Sequence, residues 1–209
     1  MEARKKIAVV GSAPIKNDES GRIDSCDLVV RFNNCKVYGG HSGEKTDVLC
    51  INIGGAPARQ MVSEKTVLRS RFYKLISELW IPADVRVCHE HITGLSMSDV
   101  GLADTDLSDK IIKSNELGHL PVVRFSAEFN IRVFELLKQG GCKFTCPSTG
   151  FFAIQYVLDE PRFAEWDKLV FGFTFKGWSG HPFEMEKKIV MQYAKELQNF
   201  TFVPSENPS

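Results

Sequence analysis

Short, solidly apolar runs rich in Val, Ile and Leu recur along this 209-residue chain, and they constrain its fold more than any other feature. Seven of them read as strands: Ile7–Val10, Leu28–Phe32, Asp47–Ile51, Leu79–Ile81, Val122–Phe125, Leu169–Phe173 and Thr201–Val203. A strand that is apolar on both faces needs cover on both, because a face left to water forfeits its burial. Helical stretches between the strands supply that cover. Ala127–Gln139 spaces Phe129, Val133, Phe134 and Leu137 helically, and Phe151–Leu158 is apolar nearly all round and belongs in the interior. Glu184–Gln198 carries a stripe of Ile189, Val190, Tyr193, Ala194 and Leu197. The pattern predicts an α/β fold, a mostly parallel sheet of about seven strands with helices on both faces. At roughly 150 residues per domain, the length suits a single domain. It is expected over 1–203, followed by a flexible tail at 204–209.

The segment from about Asp84 to Leu120 is weakly patterned and dotted with Gly, which suits a substrate-facing insertion or lid. Lys+Arg 26 balance Asp+Glu 26, so the formal net charge is zero and a nucleic-acid partner is not expected. The N-terminal charges run straight into a short strand, too short for a signal peptide. No later stretch is long enough for a transmembrane segment. The expected compartment is therefore the cytoplasm, with most of the six cysteines reduced. Cys88-His89-Glu90-His91 and the pair Cys142 and Cys146 are the best zinc candidates, but neither has tetrahedral-site spacing. No metal site is assigned.

Three segments carry chemistry. Ile7 to Val10 runs into Gly11, Ser12, Ala13 and Pro14, a tight turn at the carboxyl end of a strand, where ligands of parallel sheets bind. The dinucleotide fingerprint fails there for want of further glycines. A Walker loop fails as well, because no G-K-[ST] follows. Ser148, Thr149 and Gly150 stand ahead of an apolar helix. There they act as a cap, or present first-turn N–H groups to a phosphate or carboxylate. Gly180-His181-Pro182 opens the last long helix, with Pro182 at the first helical position and Glu184 at the capping-box position. A histidine near a positive helix end stays neutral at pH 7, which suits either an exposed cap or a general base.

In order, these segments resemble the sialyltransferase family, glycosyltransferase family 29. Its large motif is similar to Val9-Val10-Gly11-Ser12, then Ile23 to Asn33, then Gly43-Glu44-Lys45-Thr46-Asp47. Its small motif resembles Cys146-Pro147-Ser148-Thr149-Gly150, continued to Leu169–Phe173, and its last motif resembles His181 with Glu186. The chain is also similar to short bacterial proteins sometimes labelled urease-operon accessory proteins, through its Arg-Phe-Asn-x-Cys and Lys-Thr-Asp-Val elements.

The resemblance implies a Rossmann-like domain of the GT-A-variant kind. It also implies an inverting, metal-independent transferase that needs no cofactor beyond its donor substrate. That donor is a CMP-activated sugar, carrying sialic acid or Kdo, and the acceptor is a glycan or glycolipid hydroxyl. With no membrane anchor read in the sequence, the expected location is the cytoplasm, free or peripheral at the inner face of the membrane. Gly11, Ser12 and Asn33 are implied to hold the nucleotide, and Ser148, Thr149 and Gly150 the donor's phosphate or carboxylate. His181 is implied as the base, with Glu186 steadying it or the helix. Three features depart from the family: Ser12 replaces the usual Asn, Ile7 stands where a disulfide Cys is usual, and an aromatic-rich third motif is missing between Phe173 and His181. In that gap Lys176 is the candidate to face the departing phosphate. The alternatives are a nucleotide- or nucleotide-sugar-binding accessory protein without catalysis, or a scaffold with no ligand at all.

Overall fold

In the computed structural model, which describes residues 3–63, 76–94, 106–142 and 146–205, the apolar runs pair into one sheet. Its strands are β1 (Lys6–Val10), β2 (Leu28–Phe32), β3 (Val48–Cys50), β4 (Glu78–Ile81), β5 (Val122–Arg124), β6 (Asp167–Phe171) and β7 (Phe200–Phe202). All seven expected strands are present, most of them shifted or trimmed by a residue or two, as is usual at strand ends. The order is β5-β4-β3-β2-β1-β6-β7, and every neighbouring pair is parallel. The chain therefore steps outward from β1 to β5 on one side, then returns to lay β6 and β7 on the other.

The alternation of side chains explains why both faces are covered. Ile7 and Val9 of β1 face one layer, together with Val30, Phe32, Val48, Cys50 and Trp80. Helices α5 (Ala127–Gln139), α6 (Thr149–Asp159) and α7 (Phe183–Glu196) pack on that layer through Phe129, Val133, Phe134, Phe151, Phe152, Ile189 and Val190. Ala8, Val10 and Val29 point the other way, toward Ile23 of the short helix α1 (Ser20–Asp24). Farther along that face, Leu49, Ile51, Leu79 and Ile81 meet Ala58 and Met61 of α2 (Gly55–Ser63). Helix α6 is buried as its all-round apolar pattern requires. Leu197 differs from expectation: α7 stops at Glu196, which leaves Leu197 37% exposed past the helix end.

The weakly patterned stretch 84–120 is more regular than its sequence suggests. It holds α3 (Val85–Thr93), capped by the Asp84 carboxylate on the Arg86 N–H and closed by Gly94 in the left-handed region. It also holds α4 (Ser108–Ser114). Each is too short for a full amphipathic period to stand out, and only α3 offered capping residues as a better signal. The remainder of the expected insertion, 95–105, lies outside the described residues. Of the tail expected at 204–209, Ser205 is buried, and 206–209 lie outside the described residues.

The strand order reverses between β1 and β6, and their carboxyl ends meet closely there. Gly11 donates to the Phe171 carbonyl at 2.8 Å, and Ala13 to that of Gly172 at 2.9 Å. A Cβ on Gly11 would collide with the Gly172 carbonyl, so close backbone approach is what requires glycine at this position. Gly11→Ala is expected to cost about 2 kcal/mol, because backbone cannot swing aside as a side chain can. A urea denaturation midpoint equal to that of the wild type would show the approach to be looser than this.

Candidate functional site

At that switch point lies a cleft of about 420 Å³. Its walls come from the carboxyl ends of four strands and the start of α6, the location that parallel sheets reserve for ligands. Gly11, Ser12, Asn33, Ser148, Thr149, Gly150 and His181 all line it, so seven of the eight residues singled out in the sequence are brought together. Glu186 does not line it. It sits directly behind, fully buried in the first turn of α7.

The nucleotide side of the cleft is built from short polar groups at strand ends. The Gly11 N–H is consumed by Phe171, whereas the N–H and hydroxyl of the exposed Ser12 have no partner among the described residues. Asn33 takes φ +48°, the left-handed region that Asn tolerates better than most residues, just beyond β2. Its Oδ1 accepts the Asn52 N–H at 2.7 Å, and Asn52 Oδ1 accepts the Gly54 N–H at 3.0 Å. With both oxygens occupied, the two amide NH₂ groups are left as donors. Asn52 went unnoticed in the sequence, although its place two residues past β3 at the ligand edge was signal enough. An annex of about 120 Å³ continues from Ser12, Asn33 and Pro57 toward Asn34, Lys36 and Gln60.

The residues of the large motif that lie outside the cleft hold its frame. The buried Arg31 guanidinium donates to the carbonyls of Lys45 at 2.9 Å and Gly43 at 3.0 Å. Asp24 accepts the N–H groups of Glu44 at 3.0 Å and Lys45 at 2.9 Å, and Asp47 accepts that of Val29 at 2.7 Å. Burial pushes the Arg31 pKa down, and its charge is met by carbonyl dipoles. These contacts fasten the β2–β3 connection, and with it the strand end that carries Asn33.

The anion side is the N-terminus of α6. Ser148 is its N-cap: the hydroxyl accepts the Phe151 N–H at 3.1 Å. The same hydroxyl donates to Glu186 Oε2 at 2.7 Å, and the Ser148 N–H donates to Glu186 Oε1 at 2.7 Å. Both donors of Ser148 are thus turned toward Glu186 and away from any ligand. Thr149 and Gly150 follow in the first turn, where their N–H groups have no carbonyl one turn back to bond. A Cβ on Gly150 would collide with the Phe173 ring, so glycine here admits the aromatic wall. Phe173 stands edge-on to Phe32 at 6.0 Å and near Phe175 at 5.9 Å. Phe175 sits at φ +52°, a strained position for a bulky residue and one typical of a functional loop. Lys176 lines the cleft beside it.

His181 precedes Pro182, which is itself the N-cap of α7, so His181 lies one residue farther out than its sequence context indicated. Glu184 is exposed, and the acidic residue of the first turn that turns inward is Glu186. The His181 Nδ1 lies 2.7 Å from the Cys146 carbonyl. A carbonyl oxygen can only accept, so Nδ1 carries the proton and Nε2 keeps its lone pair. The Cys146 N–H in turn donates to the Gly180 carbonyl at 3.1 Å, tying the loop before α7 to the strand of chain before α6. Burial lowers the His181 pKa from its ordinary value, against the opposing pull of the Cys146 carbonyl. Burial also pushes the Glu186 carboxyl up to about 7, despite two hydrogen bonds from Ser148 that favour its ionised form.

The zinc candidates do not assemble into a ligand set. Cys88 is buried and its thiol meets that of Cys146, His91 stacks on Phe134 at 4.5 Å, and His89 lies on Thr93. Among the described residues no three His, Cys, Asp or Glu side chains converge as a metal site. No helix among them is long and apolar enough to cross a membrane.

The fold is similar to that of solved sialyltransferases. A mammalian sialyltransferase superposes with a TM-score of 0.57 at 15% identity, over 97% of this chain and 70% of that one. The mammalian sialyltransferase solved with Gal-beta-1-3GalNAc-ortho-nitrophenol gives 0.53 at 16%, with the same coverage. CstII of Campylobacter jejuni, in complex with the substrate analogue CMP-3FNeuAc, gives 0.53 at 11%, over 98% of this chain and 88% of that one. In sequence the chain is similar to the urease operon 23 kDa accessory protein of Rhizobium meliloti (strain 1021). The two are 25% identical over 196 residues, 91% of this chain and 89% of the relative. No protein-family model matches the chain. Both resemblances read from the motifs are thus met, one in the fold and one in the sequence relative.

Proposed function

We propose that the protein is an inverting glycosyltransferase of the sialyltransferase type. It moves a sugar acid, sialic acid or Kdo, from a CMP-activated donor to a hydroxyl of a glycan or glycolipid, without a metal ion. One observation carries this reading: His181, held as the Nδ1–H tautomer by the Cys146 carbonyl, shares a cleft with the uncommitted first-turn N–H groups of Thr149 and Gly150. The cleft thus offers a base and an anion cradle, which are the two things transfer from a phosphate-activated sugar needs. The acceptor oxygen bonds the anomeric carbon as that carbon's bond to the phosphate oxygen breaks. The hydroxyl proton passes to Nε2 of His181, and the electron pair leaves with CMP. Among the described residues no carboxylate lines the cleft. That supports a single displacement with inversion over a covalent glycosyl-enzyme on a carboxylate. Phosphate charge is met by N–H groups, hydroxyls and Lys176, and the nucleoside by Ser12, Asn33 and Asn52.

CMP is expected to raise the melting temperature by about 5–10 °C at roughly 100 times its Kd, the shift that about 2.7 kcal/mol produces in a chain of this size. UMP is expected to do less, and Asn33→Ala to reduce the CMP shift. Absence of any CMP shift would overturn the nucleotide assignment. A second reading has its own support, since the sequence relative is described as an accessory protein of the urease operon. On that reading the cradle binds CMP or its sugar but turns nothing over. CMP binding without hydrolysis or transfer of CMP-Neu5Ac and CMP-Kdo would select it.

A further inference from the structure

Trp178 lies in the loop between β6 and α7 and is 63% exposed, whereas Trp80 is fully buried and Trp166 half-buried. A single exposed apolar side chain is ordinary on a protein surface, so this exposure counts only with what surrounds it. Here the ring is held in place. The His181 N–H donates to the Trp178 carbonyl at 3.1 Å, closing a four-residue turn that brings the two side chains together. The indole and imidazole meet edge-to-face, with centroids 4.9 Å apart and planes at 89°. Gly180 makes room for this arrangement. Its backbone is not in the left-handed region, so conformation does not require glycine there, but a Cβ would collide with the six-membered part of the indole. The chain thus gives up a side chain to seat an exposed indole over its own turn, beside His181.

A pyranose matches such a surface. One face of the ring presents axial C–H groups as a small apolar patch, ringed by hydroxyls that stay in water. Stacked on an indole, that patch is buried, while an equatorial hydroxyl is left free to point at a neighbouring base. We propose that Trp178 is the platform for the acceptor, stacking on a pyranose ring and bringing one of its hydroxyls to His181 Nε2. This rests on His181 being the base. It makes Trp178 a determinant of acceptor choice, favouring sugars with a continuous C–H face over open-chain polyols.

The test is saturation-transfer NMR on the full chain with CMP present. Methyl glycosides of galactose, glucose and mannose, together with lactose, serve as probes, and mannitol as the ringless control. The wild type is expected to saturate the C–H protons of one ring face in at least one pyranoside, and not to saturate mannitol. Trp178→Ala is expected to abolish the signal and raise the acceptor KM about tenfold or more, the loss typical of an aromatic anchor. Trp178→Phe is expected to restore much of both, which a purely structural role for the indole would not predict. Pyranoside binding by Trp178→Ala equal to that of the wild type would overturn the proposal, as would wild-type binding of none of the four sugars or equal binding of mannitol. Loss of CMP binding in the wild type would overturn the transferase reading instead, and leave stacking on Trp178 to be judged by the sugar signals alone.

Discussion

His181→Ala is expected to lower transfer from the CMP-sugar by about 10²–10⁴-fold, the range that one positioned general base supplies. The loss should fall on kcat, because the anion cradle at Thr149 and Gly150 and the amides of Asn33 and Asn52 remain to bind the donor. Stability should change by about 1–2 kcal/mol, since the Nδ1 hydrogen bond to the Cys146 carbonyl and the ring contacts with Trp178 and Phe183 are lost. The pH profile separates a base from a bystander. Burial lowers the His181 pKa from 6.5, so the imidazole is neutral at pH 7 and the wild-type rate should fall only on the acid side of that value. The alanine variant should lack that acid limb. Equal, non-zero rates for the two proteins would remove His181 from the role of base, and steady-state kinetics across pH 5–8 on both variants checks rate and profile together.

The second large effect concerns Glu186 and the pH dependence of stability. Its carboxyl is fully buried, and burial raises its pKa from 4.5 to about 7. Between those values the folded chain keeps a proton that the unfolded chain has released, so the unfolded state binds fewer protons and stability falls as pH rises. The contribution is fully present below 4.5 and is lost as pH climbs through about 7. The shift corresponds to roughly 3 kcal/mol. Glu186→Gln should remove this slope. The amide oxygen still accepts the Ser148 N–H, and the amide nitrogen can donate to the Ser148 hydroxyl. Urea denaturation should therefore show the variant gaining on the wild type between pH 5 and pH 8. Parallel stability profiles for the two proteins would mean that Glu186 is solvated in the folded chain. Glu186→Ala is a different experiment, because it strands two buried donors on Ser148 and should destabilise at every pH.

Much of this architecture could be read along the chain. Strand positions followed from runs such as Ile7–Val10 and Leu28–Phe32, and the burial of α6 from its apolar residues on every side. The Ser148 cap was legible because a hydroxyl three residues before Phe151 is a local signal. Helices α3 and α4 were missed, being too short for their periodicity to show. Trp178 was passed over as part of a gap between motifs, and Asn52 because only its place two residues past β3 marks it. Ser148 was expected to face the ligand, but its donors face Glu186 instead, through a contact that spans 38 residues.

By itself, then, the sequence determined what depends on neighbours along the chain: which runs extend, which coil, where a cap falls, and that the sheet needs cover on both faces. The tertiary structure decided which strand ends meet. The reversal between β1 and β6 brings Gly11 to Gly172, residues far apart in sequence, and so opens the cleft. It also decided the chemical state of His181 and of Glu186 behind it. The tautomer of His181 is set by a carbonyl 35 residues away, and the proton affinity of Glu186 by the depth at which α7 packs. The physical reason is that propensity and capping act over a few residues, whereas desolvation and hydrogen-bond partnership depend on what the folded chain brings alongside.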